Sequence, residues 1–389
     1  MYWRLSGFYL FYFAALGSFW PYWGLYLKSL DFNEAEIGEL VAIIMATKII
    51  APNLWGWIAD HTGRRMRVVR IGSLLAAFAF AGIYLGTGYW WLALVMLVYS
   101  FFWNASLPQF EATTMSHLGD DSHRYSMVRL WGSVGFIVAV IALGPVLESY
   151  GEGIIVPVFL MLLAGIWLCS LFVPEPDAHP HHEHVSIMHV LRRPEVIGLF
   201  VVCFLLQASH GPYYTFYSIY LEESGYSYSA IGQLWALGVA AEIIVFLFMH
   251  RLLPHFGVRF LMLLSLVMTA VRWVLIGWFV DNTALLIFSQ ILHAASFGIF
   301  HAVAISMVHR YFTGRHQGRG QALYSSLSFG AGGALGSYVS GYLWLDMGPV
   351  MTFTLAGFTS AVAALVAWRF IRDFKEKTTV SDQKERLGN

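Results

Sequence analysis

The sequence predicts an all-α membrane protein in which twelve spanning helices form two six-helix bundles. Of the 389 residues, 58% are hydrophobic and only 12% are charged, whereas a soluble domain carries about a quarter charged residues. Twelve apolar segments reach the roughly 20 residues that a spanning helix needs. One long polar connector, 174–195, divides them into six and six, and the two halves repeat each other in sequence.

Each apolar segment is bounded by charged residues, glycine or proline. The first follows Met1 through Arg4 without a small-residue cleavage site, so we expect a retained helix rather than a signal peptide. We expect an N-terminal bundle at 1–174, a linker at 175–195, a C-terminal bundle at 196–372 and a tail at 373–389. The predicted spans are 6–27, 37–59, 68–88, 91–116, 126–148, 153–173, 196–221, 228–250, 258–280, 284–309, 320–345 and 350–371.

Basic residues concentrate on one side of the predicted membrane. The odd-numbered connectors contain a single base, Lys28, and the positive-inside rule therefore places both termini in the cytoplasm. The bases of the even-numbered connectors and the tail are Arg64, Arg65, Arg67, Arg70, Arg124, Arg192, Arg193, Arg251, Arg259, Arg310, Arg315, Arg319, Arg369, Arg372, Lys375, Lys377, Lys384 and Arg386. The acids of the odd-numbered connectors are Asp31, Glu34, Glu148, Glu152, Glu222, Glu223, Asp281 and Asp346. We call the two sides the arginine-rich face and the acidic face.

The two halves align without a gap at an offset of 194 residues, the difference between 48 and 242. At this offset Lys48 coincides with Glu242, so a base and an acid occupy equivalent depths of the two halves. Ionisable residues inside the membrane are candidates for function, and secondary transporters place their sites at the interface between repeats. The other matches include Gly38 with Gly232, Leu40 with Leu234, Tyr26 with Tyr220 and Gly63 with Gly257.

The connector between the second and third spans contains a recognisable motif. It reads Gly56-Trp-Ile-Ala-Asp60-His-Thr-Gly63-Arg64-Arg65. This resembles the loop signature of the major facilitator superfamily, with histidine at one usually basic position, and implies that superfamily's fold and a gating role. We expect Asp60 to pair with Arg64 or Arg65 or to face a neighbouring helix start, and Gly63 to form a tight turn. The equivalent loop of the second half, 250–259, lacks the acid.

Few ionisable residues lie away from the helix ends. Glu111 and Arg129 lie nearer the arginine-rich face on consecutive helices, where they form either a structural pair or part of a substrate site. At about 1.5 Å rise per residue, the residues that fall near mid-depth are Lys48, Glu242, Arg272, His210 and His293. The full set is Lys48, Glu111, Arg129, Glu242 and Arg272, with the histidines His210, His293 and His301.

The balance of these charges favours an anionic ligand. If Glu111 satisfies Arg129, then Lys48 and Arg272 share only Glu242, and positive charge is in surplus. We interpret Lys48 as an anchor for a substrate carboxylate and Glu242 as a proton carrier, because a carboxyl group removed from water binds a proton more readily. Two structural alternatives stay open: a permanent pair between Lys48 and Glu242, and a tie from Arg272 to a carbonyl or to Glu242.

Histidines and aromatic residues extend the candidate site. His293 and His301 are candidate proton relays because histidine exchanges protons near neutral pH, although buried histidines often serve only in packing. His210 is a candidate substrate contact with the same alternative. Tyr213 and Tyr214 lie deep enough to line an aromatic pocket, and the alternative for each is a place in an interfacial belt. Interfacial belts explain most of the other aromatics of spans 1 and 7, and we assign Trp20 to such a belt.

The chain resembles the phenylpropionate permease family along nearly its whole length. The resemblance implies proton-driven uptake of an aryl-propionate-type acid across a bacterial inner membrane. That family usually has arginine at the position of Lys48 and often aspartate at that of Glu111, so each charge is kept with a different geometry. The matching stretches are Gln207-Ala-Ser-His210-Gly-Pro-Tyr213-Tyr214, Gly225 through Glu242, Val128-Arg129-Leu130-Trp131-Gly132-Ser133, Arg272-Trp273 and Gln290-Ile-Leu-His293.

A weaker similarity runs to the lactose permeases. They have an acid and an arginine at the spacing of Glu111 and Arg129, and an arginine and a histidine that resemble Arg272 and His293. Their acid one turn after the histidine is replaced here by Ser296. The proton pathway of that family is therefore not carried over, and Glu242 is the preferred proton site.

We therefore expect a monomeric transporter that works by alternating access and uses protons, with a small organic acid as substrate. Proton-coupled transport of sugars or nucleosides and drug efflux stay as alternatives; a receptor would leave the mid-depth charges without a purpose. Nothing in the sequence indicates an enzyme, a cofactor or a nucleic-acid partner. The histidines of the linker, His179, His181, His182 and His184, can bind a metal, but we interpret the segment as a solvated linker.

Overall fold

The computed structural model describes residues 1–176 and 187–373, except the side chains of Asp120, Ser122, His123 and Arg315. Within these ranges the chain is helical and contains no strand, which confirms the predicted fold class. The linker histidines lie outside the described residues, as do Lys375, Lys377, Lys384 and Arg386 of the tail. The predicted domain boundaries and the linker's role therefore stay predictions.

Twelve helical spans can be followed through the described residues, in agreement with the predicted number. Two continuous helices each supply two spans, because one glycine in each has non-helical backbone angles. The bounds are α1 Tyr2–Phe19 with Trp23–Ser29, α2 Glu34–Thr62, α3 Arg65–Leu85, α4 Tyr89–Leu118, α5 Tyr125–Tyr150, α6 Glu152–Leu171, α7 Pro194–Glu223, α8 228–256, α9 258–278, α10 Thr283–Tyr311, α11 317–347 and α12 349–370.

Glycines mark the sharp turns between several spans. Gly63 ends α2 with φ +64°, and Gly257 and Gly348 separate paired spans with φ +76° each. L-residues with a side chain rarely adopt such angles, so these positions reverse the chain where an apolar run would otherwise continue. At the other end of α2, Asn33 and Glu36 form a capping box that satisfies the first free N–H groups.

Two helices contain a π-helical turn near the middle of the membrane. In α10 this turn covers Ala294–Ile299, directly after His293, and in α11 it covers Ser326–Gly332. Isolated π-turns occur often at functional sites. In α11 the turn packs on α2 beside Lys48, since a Cβ on Gly330 would lie 2.8 Å from Ile49 Cγ1 and 3.3 Å from the Lys48 carbonyl carbon.

The two halves meet along three helix pairs: α1 with α7, α2 with α11 and α5 with α8. Small residues allow the backbones to approach closely. A Cβ on Gly38 would lie 2.8 Å from Gly341 Cα, and one on Gly144 would lie 2.7 Å from Ser229 Cα. Gly24 has a similar approach to the Thr215 carbonyl at 2.6 Å. These contacts lie toward the acidic face and close the molecule there.

Candidate functional site

Lys48 lies on α2 between the halves and has no acidic partner within ion-pair distance among the side chains that the structure describes. Its ammonium lies 5.4 Å from the centroid of the Trp20 ring and 3.6 Å from Met45 Sδ. The described ion pairs do not include one between Lys48 and Glu242, which was the structural alternative. Glu242 contacts His293 instead. A cation in apolar surroundings with only an aromatic face and a thioether beside it is available to an anion.

An aromatic side chain of the second half contacts the Trp20 ring that lies beside this lysine. The Tyr214 ring centroid lies 6.2 Å from that of Trp20, across the boundary between α7 and α1. Both rings keep partly exposed surface. Trp235, on α8, lies behind Tyr214 with ring centroids 6.5 Å apart and planes inclined by 27°. Lys48, Trp20 and Tyr214 therefore follow one another across the boundary between the halves, with a cation at one end and aromatic rings at the other.

Glu242, His293 and Arg272 form a continuous chain of polar contacts within the second half. Arg272 Nη1 lies 3.0 Å from His293 Nδ1, and His293 Nε2 lies 3.4 Å from Glu242 Oε2. A guanidinium can only donate, so Nδ1 accepts, and the proton of the neutral imidazole lies on Nε2. The histidine then presents an N–H group to the carboxylate.

Arg272 is fully buried, and most of its donors have acceptors. It donates to the carbonyl of Ser289 at 3.1 Å, to Ser296 Oγ at 3.1 Å and to Gln290 Oε1 at 3.3 Å. Its guanidinium also lies 4.2 Å from the Tyr213 ring centroid. The predicted contact between Arg272 and a substrate is not supported by this geometry. The alternative of a structural tie fits it, because the first acceptor is a backbone carbonyl.

Tyr213 and His210 are likewise buried rather than open to a cavity. Tyr213 is 1% exposed and donates to Gln290 Oε1 at 3.0 Å. His210 has no exposed surface, lies at the break between the two helical segments of α7, and donates from Nδ1 to the Leu206 carbonyl at 2.8 Å. Their predicted contact with a substrate is not supported in this conformation, and the packing alternative fits both.

His301 lies two turns beyond His293 on α10. Its Nδ1 lies 2.9 Å from the Tyr324 hydroxyl on α11, and its ring stacks on Phe297 with planes inclined by only 4°. Phe297 also stacks on His293. The two histidines are thus held in one stack, but their role as proton relays stays a prediction.

Glu111 and Arg129 form the predicted pair, although a loose one. Arg129 Nε lies 3.9 Å from Glu111 Oε1, and Tyr125 donates to the same oxygen at 3.4 Å. The guanidinium packs over Phe13 at 3.8 Å. The two side chains remain 31% and 35% exposed, so they are open enough to reach a ligand as well as each other.

The motif residues, which cover the last turns of α2 and the turn after it, make contacts within their own half. Asp60 Oδ1 accepts from Arg65 Nη2 at 3.1 Å, and Gly63 forms the left-handed turn that the motif predicts. A Cβ on Gly56 would lie 3.5 Å from Gln109 Nε2 on α4. Arg64 is the residue that precedes α3. The gating role of these residues stays a prediction.

Charged side chains join the halves at the acidic face. Lys28 Nζ lies 2.8 Å from both Glu222 Oε2 and Glu223 Oε1. Glu148 accepts from the Ser229 amide at 3.0 Å, and Glu152 accepts from the Tyr228 hydroxyl. We call this set the acidic-face lock.

Several residues of the site are absent from the sequence-based prediction. Ser289, Gln290 and Ser296 hold Arg272, and small polar residues of this kind carry no distinctive sequence signal. Trp20 is the more instructive case, because we assign it to an interfacial belt although the 194-residue offset pairs it with Tyr214. A residue beside a twofold axis contacts its own equivalent, and the contact between Trp20 and Tyr214 in the folded chain places both residues there.

Twelve helices in two repeated halves around mid-membrane charges define a secondary transporter of the major facilitator type. The chain belongs to the MFS_1 like family, whose model matches residues 2–355. These proteins are transporters and not enzymes, as the sequence predicts. The chain is 30% identical over 369 residues to the probable 3-phenylpropionic acid transporter of Escherichia coli (strain K12), covering 91% of this chain and 94% of that protein.

Two further relatives have other substrates in their names. The maltose permease of Geobacillus stearothermophilus is 26% identical over 357 residues, covering 86% of each chain. The crystal structure of the nucleoside transporter NupG superposes with a TM-score of 0.80 at 19% identity, covering 96% of this chain and 99% of that one. At that identity the likeness concerns the fold alone.

Proposed function

We propose that this protein takes up a small aromatic monocarboxylate together with protons, by alternating access in a bacterial inner membrane. The observation that carries the proposal is Lys48, a cation between the halves whose neighbours are Trp20 and Met45 rather than a carboxylate. The name of the Escherichia coli relative supports an aryl-propionate substrate. In this proposal both termini are cytoplasmic and the monomer is the working unit.

A carboxylate ligand suits Lys48 because it supplies the missing counter-charge. An unpaired charge removed from water is costly, and an oppositely charged partner offsets part of that cost. Arg272 does not compete for the ligand, since its donors are occupied by groups of its own half. Trp20 and Tyr214 offer apolar surface to the rest of an aromatic acid.

Glu242 is the proposed proton carrier. It is 18% exposed, and its described ion-pair contact is with His293. Protonation of this carboxyl removes a negative charge from the region between the halves, which leaves the field of Lys48 less compensated and favours an anionic ligand. Arg272 holds the His293 ring so that its Nε2–H faces the ionised carboxylate, which stabilises that state before the proton arrives.

Uptake of labelled 3-phenylpropionate into vesicles that contain the purified protein tests the proposal. We expect uptake that rises with an inwardly directed proton gradient and falls when an ionophore removes the gradient. Lys48→Ala lowers uptake by about tenfold or more, Lys48→Arg retains part of it, and Glu242→Gln abolishes the dependence on the gradient. Arg369→Ala and Asp346→Asn, at exposed positions on the two faces, serve as charge-matched controls.

Two outcomes contradict the proposal. Uptake that is unchanged when the gradient collapses excludes proton coupling. Full uptake by both Lys48→Ala and Glu242→Gln excludes the assigned roles of these residues, whatever the substrate.

A second candidate function is symport of a nucleoside or a sugar. It is favoured by the partial exposure of Glu111 and Arg129, since a carboxylate and a guanidinium side by side can bind hydroxyl groups. Uptake of a labelled nucleoside or maltose that is lost in Glu111→Gln, together with no uptake of aromatic acids, selects this alternative.

A further inference from the structure

We infer that Trp20 and Tyr214 together bind the ring of the substrate and make the transporter select aryl acids over alkyl acids. The inference rests on the proposed function and extends it, because it assigns the selectivity to one side chain from each half. Trp20 lies at the end of the first segment of α1, and Tyr214 lies in the second segment of α7.

The two residues are related by the internal repeat. Trp20 and Tyr214 differ by 194 in number, as do Lys28 and Glu222, which form an ion pair. Residues that contact their own repeat equivalents lie next to the pseudo-twofold axis. The axis therefore passes the Trp20–Tyr214 contact as well as the acidic-face lock, and a ligand held there touches both halves at once.

The geometry of the two rings suits a third aromatic ring. Their centroids are 6.2 Å apart and their planes are inclined by 57°. This is a wedge rather than a stack, and both rings are partly exposed. Aromatic rings prefer offset-stacked or edge-to-face neighbours at about 4.5–7 Å, and a ligand ring can adopt one arrangement with each side of the wedge.

Lys48 places the charged end of such a ligand. Its ammonium lies 5.4 Å from the Trp20 ring centroid, so an acid whose ring contacts Trp20 can bring its carboxylate to Nζ through a short chain. The ammonium of Lys48 then exchanges its contact with the indole face for an ionic contact with the carboxylate of the ligand. An alkyl acid makes the same ionic contact but offers no ring to the wedge.

The wedge is supported from behind, which fixes its shape before binding. The Trp235 ring lies 6.5 Å from that of Tyr214, and Trp235 Nε1 donates to Ser218 Oγ at 3.0 Å. Trp235 is only 5% exposed. Pre-organised aromatic surfaces bind without the cost of ordering side chains.

An interfacial belt does not account for Trp20. Trp90 and Trp278 are 82% and 60% exposed on the outside of the protein, as belt residues are. Trp20 instead contacts a lysine of its own half and a tyrosine of the other half. Its position is interior and shared between the halves.

Competition binding to the purified full-length protein tests the inference. The affinities for labelled 3-phenylpropionate and for hexanoate are measured in the parent protein and in Trp20→Leu. The same two affinities are measured in Trp20→Phe and Tyr214→Leu. Trp90→Leu is the matched control at an exposed tryptophan. Melting temperatures show whether each variant is folded.

We expect Trp20→Leu and Tyr214→Leu to lower the affinity for 3-phenylpropionate by about tenfold, while the affinity for hexanoate stays within about twofold. Trp20→Phe keeps most of the preference for the aryl acid, and Trp90→Leu keeps all of it. An unchanged aryl-to-alkyl ratio in both leucine variants overturns the inference, as does an equal loss of both acids. Failure of the parent protein to bind either acid overturns the proposed function itself.

Discussion

Arg272 is held inside the membrane by acceptors from a single neighbouring helix. Ser289, Gln290, His293 and Ser296 all lie on α10. The arginine therefore fixes α9 against α10 and sets the orientation of the His293 ring. In our proposal it acts on the proton site through His293, whose Nδ1 lies 3.0 Å from Arg272 Nη1.

Replacement of Arg272 by methionine tests this role. The change leaves several buried acceptors without donors, at about 1–3 kcal/mol for each unsatisfied group, so we expect a lower melting temperature in detergent. Arg129→Met, at a partly exposed arginine, is the control and has a smaller effect. A melting temperature for Arg272→Met equal to that of the control contradicts the assignment.

The depth of a residue in the membrane was predictable from the sequence. The direction of its side chain, and therefore its contacts, was not. The mid-membrane position of Lys48 and Glu242 follows from counting residues along apolar runs. The counting does not show that Arg272 points into α10 or that His210 lies at a helix break. Those outcomes depend on tertiary contacts and on the π-turn of Ala294–Ile299, for which the sequence has no clear signal.

At the scale of helices, the contact between α2 and α11 controls how closely the halves approach at the acidic face. A Cβ on Gly38 would lie 2.8 Å from both Gly341 Cα and the Ser337 carbonyl oxygen. These are backbone atoms, so they cannot move aside as a flexible side chain can. The glycine is required for this closed arrangement.

Gly38→Ala is expected to slow uptake by about tenfold, because overpacking of a close contact costs about 1–3 kcal/mol and opposes closure. Gly153→Ala is the matched control, since a Cβ there meets nothing within 4 Å and the residue also lies at the acidic face. Initial uptake rates of the two variants provide the comparison. Equal rates exclude a role for the close α2–α11 contact in transport.

The spans themselves were predictable with few exceptions. Apolar length predicted all twelve, and the turns at Gly63, Gly257 and Gly348 fall in the connectors between predicted spans. The sequence did not show that α1 and α7 each consist of two segments. Such breaks inside an apolar run change neither length nor composition, which are the quantities that a span prediction uses.

At the scale of the whole molecule, the arginine-rich face is predicted to lie in the cytoplasm. We expect a cysteine at position 153 to react with a membrane-impermeant maleimide in intact spheroplasts, and a cysteine at position 62 to react only after permeabilisation. Both are introduced into a background in which Cys169 and Cys203 are replaced by alanine. The opposite labelling pattern shows that the orientation is inverted.

The internal repeat brings some equivalent residues of the two halves into contact, although Lys48 and Glu242 are equivalent only in sequence. The same offset joins Trp20 to Tyr214 and Lys28 to Glu222, and both of these pairs are in contact. Sequence alignment of the halves thus identifies equivalent positions. Only the folded molecule shows which equivalent positions lie on the axis and touch.

The acidic-face lock carries charges that do not cancel. Lys28 supplies one ammonium, while Glu222 and Glu223 supply two carboxylates, and all three side chains are between 36% and 41% exposed. An ionised acid that approaches this face therefore meets a net negative potential, which extends about 10 Å at 0.1 M ionic strength. Added salt screens the repulsion and speeds the encounter, and an acid that arrives as its neutral protonated form is not repelled at all.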